Sequence, residues 1–385
     1  MACLICALLL LLATSAAGQP AAPYVPTGDA TVLQRVPAAS DPGVRRLATL
    51  RRAVAADPGD VRSADALARA YVDVGRKVGD AHYAGYAEAV IAPWMVRPNP
   101  PPALLVTQAT ILQYRHEFAP ARALLDRATR ADPALAQAWL ALASLDMLEG
   151  DYARASERCA RAGRHGGQAV ATACLANVQI DTGQAERAIA LLAQVDVPAL
   201  AAWVEGLRAE GNERLGRWQQ AEAHYRKAID LAPGDNFLLV GYADFLLDRG
   251  RAKEVVALLA DYTESDTTYL RLALAHAAIG SPQAATFRWT MAARFEAYKL
   301  RGSELFGREE ARFLLTLAGD ADAALVAALR NFERQREPAD VRILLEAARA
   351  ARKPEAASVA IAFVERVKLA DPAIDALIRD LRRAV

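Results

Sequence analysis

The sequence predicts an all-α fold, a solenoid of stacked antiparallel helix pairs, on three observations. Apolar residues recur at three- and four-residue spacing from Val44 onward, no stretch alternates as a strand would, and turn residues return at a nearly constant interval. Gly150, Gly183, Gly216, Gly250 and Gly280 are separated by 33, 33, 34 and 30 residues, and Ala121, Ala155, Ala188 and Ala221 by 34, 33 and 33. Glycine suits a chain reversal between helices, and a small residue suits the point where two helices cross closely. A hairpin of about 34 residues cannot bury its own apolar face, so successive hairpins must stack.

Taken in order, residues 1–18 have the form of a secretory signal peptide. An apolar block with five leucines, Leu8 to Leu12, precedes Ala13-Thr14-Ser15-Ala16-Ala17-Gly18, and the first charged side chain is Asp29. Ser15 and Ala17 satisfy the small-x-small rule for cleavage before Gly18. The apolar run is too short for the ~20 residues that span a bilayer. An uncleaved N-terminal anchor is the alternative. Residues 19–41, rich in Pro, Ala and Thr, read as a flexible leader. Residues 42–103 read as divergent N-terminal helical repeats, interrupted over 75–104 by a lengthened turn and the run Pro98-Asn99-Pro100-Pro101-Pro102. Residues 104–280 form the regular array. Residues 281–385 read as divergent C-terminal repeats, with an irregular connection before 308. The stripe Ile374, Leu377, Ile378 and Leu381, backed by Arg379, Asp380, Arg382 and Arg383, predicts a solvent-facing cap helix.

Composition narrows the function classes. The 385 residues are 54% hydrophobic and 24% charged, as in a folded globular chain. Lys and Arg number 46 against 45 Asp and Glu, a net charge of +1, where a phosphate-gripping protein would carry a basic excess. Collagen-like, mucin-like and polybasic classes are excluded. Six of the basic residues are lysine and the rest arginine, which with abundant alanine points to a GC-rich bacterial genome and, given the leader, to the periplasm.

Particular motifs then specify the repeat. Trp139-x2-Leu142-Ala143 opens one unit, closed by Ala155-x3-Cys159-x2-Ala162. Gly216-Arg217-Trp218 leads into Ala221-x3-Tyr225-x2-Ala228 and then Leu231-Ala232-Pro233-Gly234-Asp235. Ala109 with Ala121, Leu125, Ala128 and Pro133, and Ala243 with Gly250 and Leu259, mark further units. These resemble the tetratricopeptide repeat family, whose pattern is W-x2-L-G-x2-Y, then A-x3-F, then P in about 34 residues. The resemblance, to an exported bacterial type, covers most of residues 44–372. It implies a right-handed superhelix whose first helices line a concave groove. On this chain that groove would hold Gln113, Tyr114, Gln137, Ser144, Met147, Asn177 and Asp181, then Trp203, Glu210, Glu213, Arg214, Phe237, Asp244 and Asp248. From Asp181 to Asp248 it sets five carboxylates against one arginine. Such a face attracts a basic or polar peptide and repels nucleic acid.

Catalytic signals are weak. Gly302-Ser303-Glu304-Leu305-Phe306-Gly307-Arg308-Glu309 imitates half of a phosphate-binding loop but lacks its Lys and its Ser or Thr, so it reads as an inter-helix connection. His82, His116, His165, His224 and His276 show no metal-ligand spacing and read as surface or boundary residues. No catalytic residue, metal or cofactor is expected. Trp139, Trp218, Tyr225 and Trp289 read as core. By the repeat alignment Cys159 and Cys174 lie at similar heights on adjacent helices, where they either form a disulfide or pack as two buried thiols. The expected function is a non-enzymatic interaction scaffold of the periplasm or cell envelope, with a protein or peptide partner, no nucleic acid and no membrane span once the signal is removed. The alternatives are an accessory subunit of a membrane enzyme or transporter and, more remotely, a hydrolase.

Overall fold

The computed structural model describes residues 42–78, 82–300 and 307–383, together with Gly28. The signal segment and most of the leader lie outside the described residues, as do Gly302 to Phe306 of the loop-like motif. The chain divides into a unit Met1–Arg45 and a unit Arg46–Val385. Of the first, only Gly28 and the opening residues of one helix are described; the second is the repeat body.

Twenty α-helices and no strand occur among the described residues. α1 (Pro42–Ala56) precedes the pairs α2 (Val61–Val78) with α3 (His82–Met95), and α4 (Pro102–Tyr114) with α5 (Phe118–Ala131). Then come α6 (Ala136–Glu149) with α7 (Tyr152–Gly166), and α8 (Gln168–Asp181) with α9 (Ala185–Leu192). α10 (Ala201–Arg214) pairs with α11 (Trp218–Leu231), α12 (Asn236–Leu247) with α13 (Ala252–Leu259), and α14 (Asp266–Ala278) with α15 (Ala284–Leu300). The chain finishes with α16 (Gly307–Phe313) and α17 (Ala321–Phe332), α18 (Pro338–Ala350) and α19 (Ser358–Val367), and α20 (Pro372–Arg383). First helices adjoin first helices, which makes a solenoid with one inner wall.

Local chemistry sets the hairpins. The glycine ladder adopts φ between +63° and +77° at its five turns, a conformation costly for any residue with a Cβ. Asp151, Asp235 and Asp320 each cap a helix by accepting a backbone N–H, from Arg154 at 3.0 Å, Leu238 at 3.1 Å and Ala323 at 2.9 Å. Ala121, Ala155, Ala188 and Ala221 are wholly buried, and the same register continues to Ala87 before them and Val255 after. Within the two stretches read as irregular, α3 carries Pro93 inside it and α15 is a helix of 17 residues, while residues 79–81 and 301–306 lie outside the described residues.

Packing departs from the sequence reading in three places. The stripe of α20 is buried as expected, but its helix does not merely close the far end. One continuous core joins Tyr152, Ala155, Cys159, Cys174 and Val178 of α7 and α8 to Ala328, Leu344, Phe363, Ile374 and Leu381 of the C-terminal third. Trp218 and Trp289 are exposed rather than core. Trp218 is the first residue of α11 and lies on the Arg249 guanidinium at 4.0 Å. Trp289 sits two residues before Met291, so at about 100° per residue it faces away from buried Met291 and Phe295. His276 is buried and stacked on Phe287 at 4.3 Å, and burial lowers its pKa.

Candidate functional site: a groove filled from within and a cleft at its rim

The ends of the first helices α4, α6, α8, α10 and α12 all meet residues of the C-terminal third. Beyond α4, His116 Nδ1 pairs with Gln335 Nε2 at 2.7 Å. At the end of α6, Leu148 O accepts the Arg336 N–H at 2.9 Å, and Gly150 lies against the Phe363 ring. At the end of α8, Asp181 O accepts the Ala370 N–H at 2.9 Å. At the end of α10, Arg214 bonds Asp371. Within and beyond α12, Asp244 takes Arg312 at 2.6 Å and Asp248 takes Arg342 at 2.5 and 2.8 Å. The inner wall therefore touches this chain's own last helices along its length.

This arrangement relocates the acidity read from the sequence. Asp244 is held well below the usual carboxylate range because Arg271 and Arg312 outweigh the burial that would raise it. Glu213 accepts the Tyr225 hydroxyl at 3.0 Å and faces Arg249. Asp181 and Glu210 keep an excess of negative neighbours. Burial pushes each carboxyl up to about 7, with Arg214 opposing and Glu337 on the C-terminal third adding repulsion. Burial likewise opposes the charge of Arg214, but Asp371 and Asp181 outweigh it. The groove is electrostatically closed on itself except at this centre, where the buried Tyr152 hydroxyl has no hydrogen-bond partner among the described residues.

The remaining groove residues divide. Gln113 and Tyr114 join neighbouring helices, through Ala141 O at 3.3 Å and Gly75 O at 3.3 Å. Met147 and Trp203 pack on the shared core, Asn177 is half-buried, and Gln137, Ser144 and Phe237 are exposed. Cys159 and Cys174 are bonded to each other, with Cα atoms 5.5 Å apart, tying α7 to α8 beneath the C-terminal helices.

A feature absent from the sequence reading lies at the rim. A cleft of 1640 Å³ opens between the α4–α5 turn, the α6–α7 turn, the residues before α18 and the end of α19. Its wall rests on Asp146, a fully buried carboxylate on α6 that binds Arg122 at 2.7 Å and Arg158 at 2.6 Å. Arg122 and Arg154 reach from there into the cleft and also pair with Glu149 and Asp151. Burial lowers the pKa of His116, whose Nδ1 lies 2.7 Å from the Gln335 amide Nε2. The one sequence signal for this wall was an aspartate on the apolar side of α6, which calls for buried cationic partners. No group of three or more His, Cys, Asp or Glu residues suited to a metal occurs among the described residues.

Comparison with known proteins agrees with the geometry. Residues 109–241 match the family model of a Tetratricopeptide repeat-like domain, and residues 201–299 match that of a Tetratricopeptide repeat. Residues 109–299 thus match tetratricopeptide repeat models. The matched residues run from α4 into α15. Solved structures similar to this chain include yeast Tom70, at 12% identity and TM-score 0.45 over 88% of this chain and 84% of that one. Another is a human IFIT1 dimer with m7Gppp-AAAA, at 14% identity and TM-score 0.46 over 84% and 86%. A third is the APC/C hetero-tetramer Cut9-Hcn1, at 12% identity and TM-score 0.41; this chain covers 88% of its own length and 52% of that chain. No curated protein matches. No helix among the described residues is long and apolar enough to cross a membrane.

Proposed function

We propose that this chain is a non-enzymatic scaffold of the bacterial periplasm or cell envelope. In this reading it engages a protein partner at the rim cleft, while its inner groove serves its own C-terminal third. The observation that carries the reading is the run of contacts from the first-helix ends to residues 312–371. An inner wall so occupied offers its outer rim, where a cleft of 1640 Å³ stays open, to another molecule. Export is supported by the leader at 1–18 and by the Cys159–Cys174 bond, since structural disulfides persist in oxidising compartments.

Two measurements test this. Cell fractionation should place the mature chain in the periplasm; recovery in the cytoplasm removes the envelope assignment. A photo-crosslinking residue at exposed Ala119 or Ala153, on the cleft, should give a discrete protein adduct in cells. The same residue at Gln137, on the first-helix face, should give none. Adducts at Gln137 alone would return partner binding to the groove.

A further inference from the structure

We propose that the rim cleft reads a carboxylate-rich segment of the protein partner, through the guanidinium groups of Arg336 and Arg366. The inference rests on the scaffold reading above and names the chemistry of its partner. It starts from an accounting of charge. Within the cleft, Glu149 is held by Arg122, Asp151 by Arg154, and Asp126 faces Arg158 at 3.9 Å. These three acids face arginines of the chain itself.

Arg336 and Arg366 stand differently: among the described residues neither has a carboxylate partner. Each guanidinium lies instead over the Phe363 ring, at 5.9 and 5.5 Å from its centre, and Arg336 also over Phe332 at 5.5 Å. An aromatic face holds a guanidinium plane in place without neutralising it. Arg336 gives only its Nε–H away, to Phe332 O at 3.2 Å, so both Nη groups remain available. Two anchored forks on one ring are suited to two carboxylates a few residues apart.

The rest of the cleft agrees with a peptide. Neither α5 nor α7, whose first turns open here, carries an acid in that turn. Phe118 and His116, stacked at 5.4 Å, give an apolar floor. The volume exceeds the few hundred to 1,000 Å³ of a small-molecule site, so an extended segment fits. Exposed Glu117 and Glu333 also line the cleft and oppose a dense run of negative charge such as a phosphate chain.

The test uses the full chain and a short labelled peptide alternating glutamate and leucine, followed by fluorescence anisotropy at low and high salt. Comparison probes replace every glutamate by glutamine or by lysine, and a 5′-triphosphorylated oligoribonucleotide represents nucleic acid. The acidic peptide should bind in a salt-sensitive manner, and the others at least tenfold less tightly. R366Q, at an exposed position, should weaken binding about tenfold. R366K should recover little, because an ammonium lacks the planar fork. R336Q should act in the same direction, and R330Q, on an arginine paired with Glu310 outside the cleft, should change nothing. Equal binding of the glutamine peptide, preferential binding of the oligoribonucleotide, or an R366Q chain that binds normally would each overturn the proposal. A crosslinked protein at Ala119 without binding of the acidic peptide would leave the scaffold standing and remove the carboxylate assignment. Loss of both results would remove both.

Discussion

Gly150 meets two demands that arise from different parts of the chain. Its φ of +77° closes the α6–α7 turn, which the glycine ladder anticipated, and it also lies where any Cβ would overlap the Phe363 ring. Gly250 meets only the first demand: its φ is +69°, with open space around it. Gly250→Ala should therefore cost about 1–2 kcal/mol, the left-handed penalty alone. Gly150→Ala should cost about 3 kcal/mol or more, because overpacking adds to it. Urea unfolding of the two variants measures the difference, and equal losses would mean that Phe363 does not seat against the turn. Asp146 teaches the opposite lesson about legibility. A buried aspartate on an apolar face signals cationic partners, but which of 46 basic residues supplies them depends on the neighbouring hairpins.

Elements were the most readable scale. Periodicity and turn glycines located the hairpins because both are properties of a few adjacent residues. The exposed tryptophans show where that reasoning fails. Trp218 and Trp289 have the bulk of core residues, yet one sits at a helix start on an arginine and the other on an outward face. The α7–α8 pair is the element most strongly tied, since the Cys159–Cys174 bond closes a loop with a sequence separation of 15. Reduction should lower stability by about 3 kcal/mol in the loop-entropy account. Thermal melts with and without reductant, alongside the Cys159→Ala/Cys174→Ala double variant, check this. Because those cysteines share a core with Phe363 and Ile374, the loss should also appear as faster amide exchange in α19 and α20.

At the scale of the whole molecule, the last third of the chain lies along the inner wall of the first two. The contacts span 94 residues for Asp248–Arg342, 157 for Arg214–Asp371 and 219 for His116–Gln335. This junction carries a pH dependence whose sign follows from its carboxyls. Burial raises Asp181 and Glu210 to about 7, and it raises Asp340 on α18 as well. A group whose folded pKa lies above its unfolded one stabilises fully below the unfolded value, near pH 4, and loses that contribution as pH rises through about 7. Asp244 is shifted down, and Glu222 down to about 2, so their contribution is present above pH 4 and is lost in acid. Stability should therefore peak near pH 4–5 and fall by about 2–4 kcal/mol towards pH 8. Thermal midpoints across that range test it, and the Asp181→Asn/Glu210→Gln double variant should flatten the alkaline side. A wild-type profile already flat from pH 5 to 8 would show that the junction does not hold these protons.

By itself the sequence determined the all-α class, the hairpin period, the turn glycines and the alanine crossings, because each follows from spacing within about 34 residues. It also set acidic residues along the first helices. Only the tertiary structure decided what faces them. Helical periodicity states that a side chain is turned inward but carries no information about which distant segment arrives there. The arginines that close the groove and the cleft left open beside it are products of superhelical winding, which sums small rotations between successive hairpins and is written in no single one of them.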